Sequence, residues 1–310
     1  MSTSFKPNNK KKLNTDFAIA KKIDARHRSL YGSNLKNRIL RVSILRHKYI
    51  LFLIFNSLPW NLPVRMKTFY GKSVVLPLGD VDTRFWYYYG LLTRLELGLI
   101  SFCINEISDN EVVFDIGANY GFYTLITNEL ALNGSIHAFE PNRDVYKFLS
   151  INLGKEKRVT LNNFAVSDHN GVIDFYSAFN AKASGLSTTF PIVASGRHSG
   201  FTKTSVECKT LDEYVKLKKV VPTFIKVDVE GAELSVFQGA ENLLRNHKPV
   251  IAMEVWKGES GVHDPSEAVS FLYDLNYKSY MINDDGSLVQ ENIDLKNLQV
   301  GFKNYLFKKG

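Results

Sequence analysis

The stretch Val112 to Leu125, VVFDIGANYGFYTL, decides the fold. A β-branched and aromatic run carries Asp115, a turn follows with Gly117, Asn119 and Gly121, and Phe122, Leu125, Ile126 and Leu130 then recur at helical spacing up to Asn133-Gly134. Strand, glycine-rich turn and helix N-terminus together make a platform for a nucleotide-like cofactor. The turn is a poor dinucleotide fingerprint, because Asn119 stands where a second glycine would let the backbone approach a pyrophosphate. A carboxylate at Asp115 would repel a diphosphate and favour a ligand bearing an ammonium group. S-adenosylmethionine fits that description.

Outward from this stretch, short apolar runs alternate with helical stripes, the pattern of a parallel sheet covered by helices. The runs are EVVFDIG, SIHAFE, VTLNNFAV, TFIKVDV, PVIAMEV, YKSYMI and NYLFKK. Val236, Phe237, Ala240, Leu243 and Leu244 form one further stripe. Asp264, Pro265 and Glu267 announce another helix with the stripe Ala268, Leu272 and Leu275. The expectation is one α/β domain from about residue 73 to 310, a seven-stranded, mostly parallel, doubly wound sheet. Ser177 to Ser205, rich in Ser and Thr and free of Asp and Glu, interrupts the alternation as a long insertion that can serve as a lid or a solvated loop.

The net charge of +8 divides unevenly: Met1 to Lys72 carries 16 Lys/Arg against Asp16 and Asp24, or +14, and Ser73 to Gly310 carries 23 against 29, or −6. Residues 1 to about 34 read as a mobile basic arm. Asn37 to Phe55 reads as a helix, either docked on the catalytic domain or lying on an anionic membrane surface through residues 36–60. Docking is favoured, since a basic amphipathic pattern has weak specificity. The longest uninterrupted apolar run, Tyr49 to Phe55, is too short to span a bilayer. Cys103 and Cys208 have no metal-binding or disulfide spacing. The expected residence is cytoplasmic, peripheral to a membrane if the helix serves one.

Glu140 closes the run SIHAFE, where an acidic side chain can accept hydrogen bonds from both hydroxyls of a ribose. Asp168, in FAVSD, can frame an adenine edge, although Ser-Asp-His-Asn-Gly is also a plain turn signal. In FIKVDVEGAE, residues 224–233, Lys226, Asp228 and Glu230 share a strand face. They crowd the same strand ends as Asp115 and Glu140. Glu254 follows on the adjacent strand. Asp228 and Glu230 are the first candidates for a general base, with His263 in the loop GESGVHDP third and His198 of the insertion able to reach in if that loop folds over. A divalent metal on Asp228, Glu230 and Glu254 would suit adjacent sugar hydroxyls. No metal site is assigned.

The strings VFDIGANYGFYTL, HAFEPN, NNFAVSD with Gly171, FIKVDVEGAE with VFQGA, and PVIAMEV resemble, in order and spacing, the FkbM-type family of S-adenosylmethionine-dependent methyltransferases. The resemblance covers roughly residues 80 to 256. GLLTRLELG also resembles the family, with Glu96 at a recurring acidic position. The resemblance implies a class I methyltransferase-like (Rossmann-like) fold with an antiparallel last strand; residues 1–72, read above as a basic arm and helix, lie outside it as a helical N-terminal extension. The resemblance also implies O-methylation of a hydroxylated small molecule or glycan such as a sugar or secondary metabolite. Asp115, Gly117, Ala118, Asn119 and Gly121 would hold the methionine end, Glu140 the ribose and Asp168 the adenine, with Asp228 between cofactor and acceptor.

Two rivals stand beside this reading. A nucleic-acid methyltransferase would use the basic arm, but the −6 balance of the catalytic part predicts weak phosphate affinity, and no N-P-P-Y-like motif or Pro-Cys nucleophile is present. A non-catalytic cofactor-binding protein on the same fold leaves the charged block at 226–233 unexplained. The acid-free insertion, with Lys182, Arg197 and Lys203, suggests an anionic acceptor.

Overall fold

The computed structural model describes residues 8–29, 62–77, 79–80, 83–91, 96–178, 187–189, 201–255, 264–296 and 303–309. The chain divides into two compact units, Met1–Arg94 and Leu95–Gly310.

In the first unit, α1 (Asn8–Ser29) precedes the antiparallel hairpin of β1 (Pro63–Lys67) and β2 (Ser73–Pro77), followed by α2 (Thr83–Tyr89). The expected mobile arm is corrected here: Leu13, Phe17 and Ala20 recur at i, i+4 and i+7 and are buried. Phe17 meets Phe69 with ring centroids 5.4 Å apart, and the Lys21 ammonium lies 4.5 Å from the Phe17 centroid. The expected boundary at residue 72 falls at the turn of the β1–β2 hairpin, where Met66 pairs Val74. The helix expected over Asn37 to Phe55 lies outside the described residues.

The second unit begins with α3 (Leu97–Glu106) and continues through β3 (Val112–Ile116), α4 (Phe122–Leu130), β4 (Ser135–Phe139), α5 (Arg143–Leu153), β5 (Val159–Asn162) and β6 (Ala165–Val166). Then come β7 (Gly171–Ser177), β8 (Thr202–Lys209), α6 (Leu211–Lys218), β9 (Phe224–Val227), α7 (Glu233–Gln238), α8 (Glu241–Asn246) and β10 (Val250–Val255). The unit closes with α9 (Ser266–Asp274), β11 (Tyr277–Ile282), β12 (Leu288–Gln290) and β13 (Lys303–Lys309). Its main sheet has the order β12-β11-β13-β10-β9-β3-β4-β5. Strands β10, β9, β3, β4 and β5 run parallel, while β13 is antiparallel to both β10 and β11. The chain leaves β3 toward β4 on one side and later returns to β9 on the other. The switch point of this doubly wound sheet therefore lies between β3 and β9.

All seven expected runs are strands, and the antiparallel last strand is present. The strand count is corrected to eight: β12 pairs with β11 at the edge, and three residues are too few to carry a period. The run VTLNNFAV splits between two sheets, since β6 joins β8 and β7 in a separate three-stranded sheet. Asn163 turns the chain there, its Nδ2 donating to the carbonyls of Glu140 (2.8 Å) and Pro141 (3.2 Å). The insertion is narrower than expected, because β7 and β8 pair from Gly171↔Cys208 to Ser177↔Thr202. Residues 179–186 and 190–200 lie outside the described residues. The stripe Val236 to Leu244 breaks into α7 and α8 at Gly239, where an added Cβ would stand 1.9 Å from the Ser167 carbonyl oxygen.

Caps fix the helices that position the site. Asn142 precedes α5 and accepts from Asp144 N–H at 3.0 Å, and Thr210 precedes α6 and accepts from Glu213 N–H at 3.2 Å. Under the parallel strands, Phe114, Phe139, Phe164 and Tyr214 form one aromatic cluster, with Phe139 and Tyr214 centroids 4.9 Å apart. Burial lowers His137 to about 4, so it sits there neutral, 2.7 Å from the Tyr214 hydroxyl.

Candidate active site

A cleft of about 640 Å³, part of it open to solvent, lies over the carboxyl ends of β3, β4 and β9. Gly117, Asn119, Glu140, Asp228 and Glu230 line it, with Phe139, Phe164, Val166 and Phe175 as its apolar wall.

The turn after β3 is fastened to the end of β4. Gly117 N–H and Ala118 N–H both donate to the Phe139 carbonyl, at 3.0 and 2.9 Å, and Gly121 N–H donates to Ala118 at 2.8 Å. Gly117 has φ +77° and lies so near β9 that a Cβ would stand 1.8 Å from the Asp228 carbonyl oxygen. Asn119 adopts φ +50°, a region its short polar side chain tolerates. Its N–H points at Glu140 Oε2, 2.9 Å away, while Asn142 N–H donates to Oε1 at 2.8 Å. Burial raises the Glu140 carboxyl to about 7 against the pull of these two donors. Each oxygen keeps acceptor capacity for a hydroxyl. Glu140 and the apolar wall thus offer what a ribose and an adenine require, in agreement with the expected cofactor.

Asp115 lies beneath the turn and is not among the lining residues. Its Oδ2 accepts from the Thr124 hydroxyl at 2.6 Å, and its Oδ1 stands 3.7 Å from Lys226 Nζ. The ammonium that Asp115 faces belongs to the protein. Asp168 also lies off the lining: His169 Nδ1 is 2.7 Å from its Oδ1 and the Ser167 hydroxyl donates at 3.1 Å. These bonds hold its carboxyl below the usual range. The preceding Phe164, Ala165 and Val166 line the cleft instead.

Lys226 is buried at 7% exposure, and its Nζ donates to Asp228 Oδ2 at 2.9 Å and to the Gly117 carbonyl at 3.4 Å. Burial pulls its pKa down, but Asp228, Asp115 and Glu96 outweigh that and raise it above the ordinary lysine value. Glu230 has φ +52° and Gly231 φ +107°, which turns the chain sharply out of β9. Thr188 crosses to this turn, its hydroxyl donating to the Glu230 carbonyl at 2.8 Å, and its backbone pairs with Tyr176 of β7 at 2.7 and 3.1 Å. Ser187 and Thr189 on either side line the cleft.

Glu254 follows Met253, which pairs with Val227, so the ladder sets it beside Asp228. Burial raises its carboxyl to about 10, with Asp228, Glu96 and Glu230 adding to the effect. Among the described residues no group of three or more His, Cys, Asp or Glu side chains is arranged to hold a metal ion. The metal considered on Asp228, Glu230 and Glu254 is therefore set aside: Asp228 is committed to Lys226, and Glu254 is disposed to keep its proton. His263 and His198 lie outside the described residues.

The structure gives partners to Glu96, whose sequence position was conspicuous without a role. Tyr123 donates its hydroxyl to Glu96 Oε2, and Asn304 Nδ2 approaches the same oxygen at 3.5 Å. Tyr123 and Asn304 carried no sequence signal, since an aromatic in a helical stripe and an Asn opening a strand are ordinary residues. Thr188 was one of many Ser and Thr in the insertion.

A doubly wound sheet with an antiparallel last strand, a glycine turn at the switch point and a buried carboxylate at the end of the next strand defines a class I methyltransferase fold. The methyltransferase FkbM domain model matches residues 115–279, and the chain belongs to that family. It is an S-adenosylmethionine-dependent methyltransferase. Hexuronic acid methyltransferase AglP of Haloferax volcanii is 31% identical over 183 residues, covering 58% of this chain and 68% of that protein. Methyltransferase sdnD of Sordaria araneosa is 27% identical, covering 54% of this chain and 74% of that protein. The crystal structure of methyltransferase FkbM from Methylobacillus flagellatus KT is similar at a TM-score of 0.40 and 17% identity, covering 65% of this chain and 44% of that one.

Proposed function

We propose that this chain methylates a hydroxyl of a sugar, glycan or secondary metabolite. The observation that carries this reading is the cleft itself. A ribose-directed carboxylate, Glu140, is bonded to the cofactor turn at one end, and Asp228 and Glu230 stand at the other. Gly117, Ala118, Asn119 and Gly121 hold the methionine end, with Asp115 supporting the turn from beneath. Glu140 takes the ribose hydroxyls, and Phe139, Phe164 and Val166 take the adenine, with Asp168 at the outer rim. S-adenosylmethionine supplies an electrophilic methyl group on a sulfonium. Asp228 orients the acceptor hydroxyl and takes its proton as the new carbon–oxygen bond forms. The hexuronic-acid specificity in the name of AglP supports a sugar acceptor. No finding favours a nucleic-acid acceptor.

The activity is assigned to residues 73–310. Residues 1–72 are assigned to docking or to an anionic surface, read from their charge alone. Among the described residues no helix is long and apolar enough to cross a membrane. The expected peripheral, cytoplasmic residence is tested by fractionating cells and washing membranes with salt.

The function is tested by transferring labelled methyl from S-adenosylmethionine to purified uronic-acid oligosaccharides and to their neutral counterparts. Alkali-stable label in the saccharide is expected, as an ether requires. Alkali-labile label would replace the hydroxyl with a carboxylate acceptor, and label confined to nucleic acid would overturn the reading.

A further inference from the structure

Lys226 is the one cation among the buried groups described around this cleft. It stands at the third position of β9, where Asp115 of β3 pairs with it on one side and Ala252 of β10 on the other. The two-residue step to Asp228 puts both side chains on one face of the sheet. Above them lies the Tyr123 ring, with the ammonium 5.1 Å from its centroid. Tyr123 is held in turn by Glu96, which Asn304 of β13 also approaches. The ammonium thus touches the cofactor turn through the Gly117 carbonyl and the acceptor side through Asp228 Oδ2. Asp228 closes the same connection through its backbone, donating N–H to the Ile116 carbonyl at 3.0 Å.

A lysine at a methyl-transfer site can serve as a base only by losing its proton. Asp228, Asp115 and Glu96 oppose that loss here, so Lys226 stays an ammonium. Two of the three ammonium donors meet Asp228 Oδ2 and the Gly117 carbonyl, and Asp115 Oδ1 stands 3.7 Å away as an ion-pair partner. The bond from Nζ occupies Asp228 Oδ2 and leaves Oδ1 for the acceptor.

We propose that Lys226 is a positioning residue for methyl transfer: seated on Tyr123 and Glu96, it ties the cofactor turn to Asp228 and aims Asp228 Oδ1 at the acceptor hydroxyl. This rests on the reading of Asp228 as the base. In the step, the acceptor O–H gives its proton to Asp228 Oδ1, the acceptor oxygen bonds the methyl carbon, and the carbon–sulfur bond breaks with its electron pair passing to sulfur. Lys226 neither gains nor loses a proton.

The test uses the full chain with Lys226→Met, Tyr123→Phe and Asp228→Asn. Turnover is read on a uronic-acid oligosaccharide probe, and binding of S-adenosylhomocysteine is read by calorimetry. Lys226→Met is expected to lower kcat about 100-fold, the size of effect that follows from misplacing a reacting group by about 1 Å. The KM for the oligosaccharide and the affinity for S-adenosylhomocysteine should move less than about fivefold. Unchanged kcat, or a loss of cofactor affinity as large as the loss of turnover, overturns the proposal. If Lys226→Met does not fold, Tyr123→Phe decides. It keeps the ring but drops the bond to Glu96, and kcat should fall severalfold with binding intact, whereas an unchanged kcat overturns the proposal. Asp228→Asn separates this inference from the reading beneath it. If that variant turns over normally, the base assignment falls and takes the proposal with it. If it is inactive while Lys226→Met is not, only the role of Lys226 falls.

Discussion

Gly117 sits where no side chain fits. Gly117 combines φ +77° with a neighbouring carbonyl 1.8 Å from any Cβ. Gly117→Ala should therefore destabilise the fold by about 2 to 4 kcal/mol, since strain and overpacking act together, and should abolish cofactor binding. Denaturant unfolding and calorimetry check both. Glu140 is legible in pH. Its folded pKa is raised from 4.5 to about 7, so between those values the folded chain holds more protons than the unfolded one. Stability should fall as pH rises from about 4.5 through 7, by about 3 kcal/mol for this group. Thermal melts of wild type and Glu140→Gln across that range should show the smaller slope in the variant. With the ribose role proposed for the Glu140 carboxylate, S-adenosylhomocysteine should bind about tenfold more weakly per unit of pH below 7.

At the scale of elements, the short segment 187–189 links β7 to the turn after β9. Thr188→Val keeps the shape and removes the donor to the Glu230 carbonyl. A cost of about 1 kcal/mol in stability is expected, with a rise in acceptor KM and little change in cofactor affinity. Steady-state kinetics against both substrates read the difference. Helix α1 makes a second case. Phe17 is 2% exposed, and Phe17→Ala should cost about 3 to 5 kcal/mol in the first unit. Limited proteolysis within residues 8–29 would report the loss. The sequence showed neither element, for related reasons. A three-residue strap has no period, and three apolar residues spread over two turns among lysines do not stand out from a solvated arm.

For the whole molecule, the uneven charge makes separate demands on separate parts. Any hold on RNA should come from the basic N-terminal residues and vanish between about 50 and 200 mM salt, as counterion release requires. Methyl transfer to a saccharide should change little over the same range, because the catalytic part is mildly acidic. A filter-binding titration run beside the transfer assay checks both.

The sequence by itself determined the parallel sheet, the cofactor turn and the acids at its strand ends, because each is local. Apolar runs, a glycine spacing and a residue at the end of a strand are all written within ten or so consecutive positions. The resemblance followed from the same local strings. Only the tertiary structure decided what those acids face. Asp115 faces Lys226, Asp168 faces His169, and Glu96 meets Tyr123 and Asn304, which lie 27 and 208 residues away in the chain. A carboxylate's role depends on the donor within about 3 to 4 Å of it. In a doubly wound sheet that donor comes from another strand or a covering helix, so the pairing appears only once the chain has folded.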